Sequence, residues 1–390
     1  MAEEDQPQGA SDEAEYRMTV RGLLRARAET DGAAAAIRAP GRRPMTYQGL
    51  LAHIDETAAR LAALGVRRGD RVAAVLPNGP EMATAFLAAS ACATSAPLNP
   101  GYRAEDYEFF LSDLEAKVLL VQADSESPAI EVARDLGISI VHLTVDADAP
   151  AGSFTLHSEV SGAAVEPADV LAVDERDVAL VLHTSGTTSR PKIVPLSHAN
   201  ICTSAANIAT ALALTPDDRC LNVMPLFHIH GLMGATLSTL SAGASVVCTP
   251  GFDQQLFFTW VEECSPTWYT AVPTMHQAIL ARAPRNAAII EGARLRFLRS
   301  SSASLPPQVM TALGETFGAP VVEGYGMTEA THQMTSNPLP PRPRKAGAVG
   351  LAAGPEVRIA DETENRLLAS DATGEVVISG PNVTPGYEAN

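Results

Sequence analysis

The chain has 390 residues, 46% of them hydrophobic and 19% charged, with a formal net charge of −17 and a pI near 4.9. That length buries a large core and leaves room for two or three subdomains. The acidic balance excludes nonspecific nucleic-acid binding and docking on anionic lipid, both of which need basic surface.

Residues 1–16 hold six carboxylates and no Lys or Arg. They lack a charged-then-apolar leader and read as a disordered acidic tail. Thr46 is placed to cap a helix from Tyr47 to about Leu64, with Gly65 as its stop. Arg71–Leu76 reads as a strand, and Pro77-Asn78-Gly79-Pro80 turns the chain into a helix ending near Cys92. A helix is expected from about Ala104 to Ala116, then a strand over Lys117–Val121. Ser127 and Pro128 look like the cap and first position of a helix to Leu136, stopped by Gly137 and followed by a strand at Ile138–Val141. Such alternation implies parallel sheets covered by helices, an α/β fold.

Residues 144–176 are rich in Asp, Ala, Pro, Ser and Gly and read as a surface connection between two lobes. Val178–Leu182 reads as a buried strand. Ser197 or Asn200 begins a helix to about Leu214, and Val246–Cys248, Thr267–Ala271 and Val321–Glu323 read as further strands. From Ala346 the pattern changes to short strands, Glu356–Ile359 and Gly374–Ile378, between Gly, Pro and Asp turns. The expected organisation is an α/β body over 17–345 and a small β subdomain over 346–390. The chain closes at Pro385–Asn390 with neither a final helix nor a polar tail, so a longer protein is expected.

No apolar run reaches membrane-spanning length. Five cysteines with no Cys-x-x-Cys pair fit unreactive thiols in a reducing, cytoplasmic setting. The Ala- and Arg-rich, Lys-poor bias suggests a high-GC bacterial coding sequence.

Most chemistry is concentrated in His183-Thr184-Ser185-Gly186-Thr187-Thr188-Ser189-Arg190-Pro191-Lys192. After a buried strand, this loop offers backbone N–H groups, hydroxyls and one ammonium to a polyphosphate. No Gly-Lys-Ser/Thr ends it, so it is not the common P-loop. Lysine is rare here, with Lys117, Lys192 and Lys345 the only three among 28 basic residues. A compact point charge at Lys192 therefore stands out against an arginine background and suits a phosphate oxygen. Three further segments join it. Pro225–Gly231 carries Phe227, His228 and His230; Arg299–Leu305 is a small-residue loop; Glu323–His332 offers Tyr325, Thr328, Glu329 and His332 within ten residues. Taken singly, each has an ordinary reading: satisfied structural histidines, a turn, a packed aromatic. Metal binding by His228 and His230 lacks a visible third and fourth ligand.

In this order the segments resemble the adenylate-forming superfamily of acyl-CoA synthetases, adenylation domains and luciferases, from about residue 20 onward. Within that superfamily the sequence resembles the plant and fungal oxalyl-CoA synthetase group, the peroxisomal-type CoA synthetases. The carrying residues are Leu76–Glu81, Trp268–His276, Arg299–Leu305, Glu329–His332 with Ser336–Pro340, and Gly380–Tyr387. The resemblance implies two largely parallel, helix-covered sheets packed together, with a mobile C-terminal domain lying beyond this chain. It implies that Thr184, Ser185, Gly186, Thr187, Thr188 and Lys192 surround the ATP phosphates. Ser302, Ala303 and Ser304 would line the adenine and substrate pocket. Glu323, Gly324, Tyr325 and Gly326 would complete the nucleotide site, with Tyr325 against the adenine. Thr328 would touch the α-phosphate and Glu329 would hold Mg²⁺. His228 would stand at the entrance to the acyl site. His228, Ser302, Met327 and His332 would contact a small acid, and His228, Thr328 and Glu329 would carry the catalysis.

The implied reaction joins a carboxylate oxygen to the α-phosphorus of ATP, then passes the acyl group to CoA. Imidazoles and hydroxyls suit a short acid with a second carboxylate, such as oxalate or malonate, better than a fatty tail. Ser189 and Ile193 stand where the family usually has glycine, and Ser189 adds a Cβ that strains any backbone with positive φ. The C-terminal lysine that assists adenylation, and the face that admits CoA, are not among these residues, so weak or partial activity is expected of the chain alone. Two alternatives are an adenylation enzyme that loads a carrier protein, and a catalytically silent nucleotide- or acyl-binding module.

Overall fold

A computed structural model describes residues 18–158, 173–184, 190–363 and 366–388. Ser185, Gly186, Thr187, Thr188 and Ser189 of the expected phosphate loop, and the acidic tail over 1–16, lie outside the described residues.

Two sheets form the body. The smaller contains β3 (Arg71–Val75), β4 (Thr94–Pro97), β5 (Val118–Gln122), β6 (Ser139–Thr144), β7 (Thr155–Ser158), β8 (Val178–His183) and β9 (Ile193–Ser197). Its order is β7-β6-β5-β3-β4-β8-β9; the inner pairs are parallel, and β7 and β9 close the edges antiparallel. The larger sheet takes β1 (Ala35–Arg38) and β2 (Met45–Thr46) from the N-terminal region. It adds β10 (Arg219–Asn222), β11 (Ser245–Cys248), β12 (Trp268–Ala271), β13 (Phe297–Ser300), β14 (Val321–Met327), β15 (His332–Ser336) and β16 (Leu351–Ala352), in the order β16-β15-β14-β13-β12-β10-β11-β1-β2. Its strands from β1 to β14 pair in parallel apart from the β1–β2 hairpin, while β15 and β16 run antiparallel at the site end. β17 (Glu356–Ala360) and β18 (Glu375–Ser379) make a separate two-stranded ribbon.

Local signals set the element ends. Thr46 caps Tyr47–Ala63 by accepting from Gly49 N–H at 3.1 Å. Ser197 and Asn200 exchange side-chain and backbone bonds in a capping box that opens His198–Ala211. Ala104–Asp113 ends three residues earlier than expected, because Glu115 takes a positive φ of 47° and breaks the helix. The helix Pro80–Cys92 is buried at every position but Glu81, as a helix apolar all round must be. It touches β3, β4 and β8 of one sheet and β11 of the other. Its alanines at 83, 85, 88, 89 and 91 let both sheets approach.

Within the described part of the stretch 144–176, Thr155–Ser158 forms β7, and the strands before and after it, β6 and β8, belong to the same sheet. The expected β region after 346 contains the β17–β18 ribbon, but β16 joins the larger sheet and Gly380–Glu388 packs back on β9 and on Glu329. All five cysteines are free, four of them buried, and burial pushes the Cys92 and Cys202 thiols up to about 12. Among the described residues no helix is long and apolar enough to cross a membrane.

Candidate active site

The β8–β9 hairpin brackets the phosphate-loop sequence. At its base Thr184 N–H donates to Lys192 O at 2.9 Å, and Lys192 N–H donates to Thr184 Oγ1 at 3.2 Å. Asp113 holds both shoulders: His183 Nε2 lies 3.0 Å from Oδ2, and Arg190 Nη2 lies 3.5 Å from Oδ1. Burial lowers the His183 pKa, with Asp113 opposing the shift.

From the opposite side comes the β14–β15 hairpin, which presents Tyr325, Met327, Thr328 and Glu329. The turn is tight: a Cβ on Gly326 would lie 1.4 Å from His332 O, so only glycine fits the crossing. Tyr325 and Met327 are exposed, and Thr328 and Glu329 are half-buried. The Tyr387 phenol donates to Glu329 Oε1 at 2.6 Å, and the Lys192 ammonium sits 4.5 Å from the centre of the same ring. Lys192 and Glu329, 137 positions apart in sequence, therefore meet on one tyrosine side chain.

This donor set fits a magnesium ion that arrives with a nucleotide. Glu329 Oε2 takes no hydrogen bond from the described residues, and no cluster of three or more His, Cys, Asp or Glu side chains forms a closed cage among them. Mg²⁺ is commonly held by one or two carboxylates plus substrate phosphates and water.

The small-residue loop follows β13. Ser302 adopts a positive φ of 69°, and Thr331 and His332 adopt 51° and 90°. Strained backbone of this kind concentrates at functional sites. Ser302, Ala303 and Ser304 face solvent at the cleft. Ser301 Oγ donates to Gly324 O at 2.8 Å, and buried Glu323 accepts from Leu305 N–H at 2.9 Å. Glu323 and Gly324 thus brace this loop from beneath, while Tyr325 reaches the open face.

Beneath the loop lies a buried polar cluster that the sequence did not announce. His230 opens a π-helix, His230–Leu237, with every residue buried. Its Nδ1 is 3.0 Å from Ser302 Oγ and its Nε2 is 2.6 Å from Thr270 Oγ1. Its ring stacks on His332 with centroids 4.9 Å apart. Arg299, fully buried on β13, sends Nη2 to His332 Nε2 at 3.0 Å and to Gln333 Oε1 at 3.1 Å. Its Nε and Nη1 have no partner, and no carboxylate pairs with it among the described residues. Burial lowers the guanidinium pKa to about 10, so it stays charged. Burial, followed by the Arg299 charge, holds His332 well below 6.5; burial and then the neighbouring His332 do the same for His230. Both rings are neutral at pH 7, and His332 accepts at Nε2 with its proton on Nδ1. His228 is exposed at the rim, its Nδ1 accepting from His230 N–H at 3.2 Å.

Of the predicted residues, Lys192 and Glu329 meet on the Tyr387 ring, Thr184 pairs with Lys192 at the hairpin base, and Ser302, His228 and His332 gather around His230. Arg299, Thr270 and Tyr387 were not singled out as site residues, and His230 was weighed as a structural histidine or a metal ligand. Arg299 was visible only as the residue heading a serine loop. Its one available signal was a cation followed by a run of small uncharged residues with no acid nearby in sequence.

Comparison with known proteins bears on this arrangement. The AMP-binding enzyme family matches residues 24–388. An oxalate–CoA ligase from Arabidopsis thaliana is 43% identical over 377 residues, covering 95% of this chain and 73% of its own length. One from Saccharomyces cerevisiae is 41% identical over 345 residues, covering 83% of this chain and 63% of its own length. The crystal structure of ATP-bound MatB from Rhodopseudomonas palustris superimposes with a TM-score of 0.80 at 27% identity, covering 95% of this chain and 72% of its own. The expected α/β architecture agrees with these structures, and relatives named CoA ligases do not favour a carrier protein or a silent binding module. With the family matched across nearly its whole length and relatives above 40% identity, the chain belongs to the AMP-binding enzymes and is an adenylate-forming acid–CoA ligase.

Proposed function

We propose that the acid activated here is a short dicarboxylate of the oxalate class. Arg299 carries the reading. A buried cation with two unpartnered nitrogens is costly unless an anion meets it. A second carboxylate on the substrate supplies that anion, whereas an apolar tail would leave the charge unpaired. The names of the Arabidopsis and yeast relatives support the same class.

In this reading the distal carboxylate meets Arg299, with His332 and Ser302 completing its hydrogen bonds. Neutral imidazoles donate there without adding a second buried charge. The reacting carboxylate then faces the nucleotide side, where one of its oxygens attacks the α-phosphorus of ATP and pyrophosphate leaves. Thr184, Lys192 and Thr328 contact the phosphates, and Tyr325 lies against the base. Fixed donors of this kind stabilise charge that grows on phosphate oxygens. Magnesium, when bound at Glu329, supplies further neutralisation of that charge. His228 stands at the rim, where the CoA thiol must reach the acyl carbon and displace AMP.

The test is pyrophosphate release by the enzyme with oxalate, malonate and octanoate, repeated with Arg299→Gln. Loss of a buried charged partner costs about 2–5 kcal/mol, so the dicarboxylate KM should rise on the order of 100-fold while the ATP KM stays within about threefold. Preference for octanoate, or an unchanged dicarboxylate KM in Arg299→Gln, would overturn the reading.

A further inference from the structure

The segment Gly380–Glu388 crosses from Glu329 to the strand that leaves the phosphate loop, and every link in it is a specific bond. Asn200 Nδ2 donates to Pro381 O at 2.7 Å and to Val383 O at 3.1 Å. Thr331 Oγ1 donates to Asn382 O at 2.7 Å, and Asn382 Nδ2 donates to Ala330 O at 2.9 Å. Thr384 N–H donates to Glu329 O at 2.8 Å, and its Oγ1 donates to Pro195 O at 2.7 Å. Glu388 N–H donates to Ile193 O at 3.1 Å, and the Glu388 carboxylate pairs with Arg71. The segment thus ties β9, the Glu329 turn, the start of the helix His198–Ala211 and the smaller sheet to one another.

Tyr387 is the side chain this strap delivers to the cleft. It is 47% exposed, so core packing does not account for its position. Its polar contacts do: the phenol on Glu329 Oε1 and the ring under Lys192.

We propose that Tyr387 is a positioning residue for nucleotide and metal binding, fixing the Glu329 carboxylate and the Lys192 ammonium on either side of one ring. The phenol occupies Oε1 and leaves Oε2 toward the cleft, so the carboxylate need not find its rotamer when the cation arrives. The ring face holds the ammonium where a phosphate oxygen can take it over. Preorganised groups of this kind reduce the ordering cost of binding. The proposal rests on the assignment of Lys192 and Glu329 to the nucleotide and its metal.

The experiment is calorimetric titration of the enzyme with α,β-methylene-ATP over a series of Mg²⁺ concentrations, with melting temperatures measured in parallel. Tyr387→Phe should raise the half-saturating Mg²⁺ about fivefold and leave nucleotide affinity at saturating Mg²⁺ near that of the wild type. Tyr387→Leu, which also removes the ring, should weaken nucleotide binding about tenfold even at saturating Mg²⁺. In a Glu329→Gln background the effect of Tyr387→Phe should vanish, because the phenol acts through that carboxylate. A Mg²⁺ response unchanged in Tyr387→Phe, or a lowered melting temperature without a change in that response, overturns the proposal. So does an equal effect of Tyr387→Phe in the Glu329→Gln background. A wild-type enzyme that binds no nucleotide at any Mg²⁺ concentration overturns the underlying site assignment with it.

Discussion

Arg299 shows how one side chain sets the character of a site. On β13 it is enclosed by β14, β15 and the π-helix, and β14 and the π-helix come closest to it at Gly324 and Gly234. A Cβ on Gly234 would lie 2.5 Å from His332 Nε2 and 2.9 Å from Arg299 Nη1. Those atoms are side-chain ends, so Gly234→Ala should push the imidazole and the guanidinium aside and leave the backbone in place. We expect the acid KM to rise about 10- to 100-fold, with a stability loss within the roughly 1–3 kcal/mol usual for overpacking. Steady-state kinetics against both substrates, beside a melting curve, separates the two effects. An unchanged acid KM would mean that the π-helix does not bound the acid pocket.

At the level of elements, one amide side chain links the two sheets near the site. Asn78, in the turn after β3, donates from Nδ2 to Thr249 O at 2.9 Å and accepts at Oδ1 from Leu226 N–H at 2.7 Å. Thr249 follows β11 and Leu226 follows β10, so one side chain links the smaller sheet to two strand ends of the larger. Leu226 also precedes His228 at the rim. Asn78→Ala leaves a buried N–H and a carbonyl without partners, which costs about 1–3 kcal/mol. Urea denaturation should show that loss, and the acid KM should rise with it as the rim loosens. A variant as stable as the wild type would show that water replaces the amide and that the link is not structural. The Leu76–Glu81 motif was legible in sequence, and its turn and helix were read correctly. That its asparagine bridges to residues 148 and 171 positions away was not, because chain spacing carries no distance between sheets.

The whole molecule buries several neutral histidines, and acid acts on all of them in one direction. Burial lowers the pKa of His198 to about 4 and that of His276 to about 4. The unfolded value is near 6.5, so the folded pKa lies below it. Their contribution is fully present above about pH 6.5 and is lost as the pH falls toward 4, on the order of 3 kcal/mol each. His198 accepts Val20 N–H at 3.2 Å and so docks the N-terminal helix Val20–Asp31, while His276 bridges the Tyr269 phenol and Arg299 O, each at 3.2 Å. Stability by urea denaturation should therefore decline steadily from pH 6.5 to 4.5, and His276→Gln should flatten part of that decline. A flat profile over this range would show that these imidazoles protonate without cost.

Much of this molecule is written in short-range chemistry. The caps at Thr46 and Ser197 and the strand–helix alternation of the smaller sheet depend on near neighbours, and each was legible before any coordinates. Tertiary structure alone decided that Arg299, His230 and His332 share one buried cluster, and that Tyr387 joins Glu329 to Lys192. The reason lies in the forces involved. A cap or a strand is settled within a few residues, but whether a buried cation has a partner depends on every chain segment that packs around it.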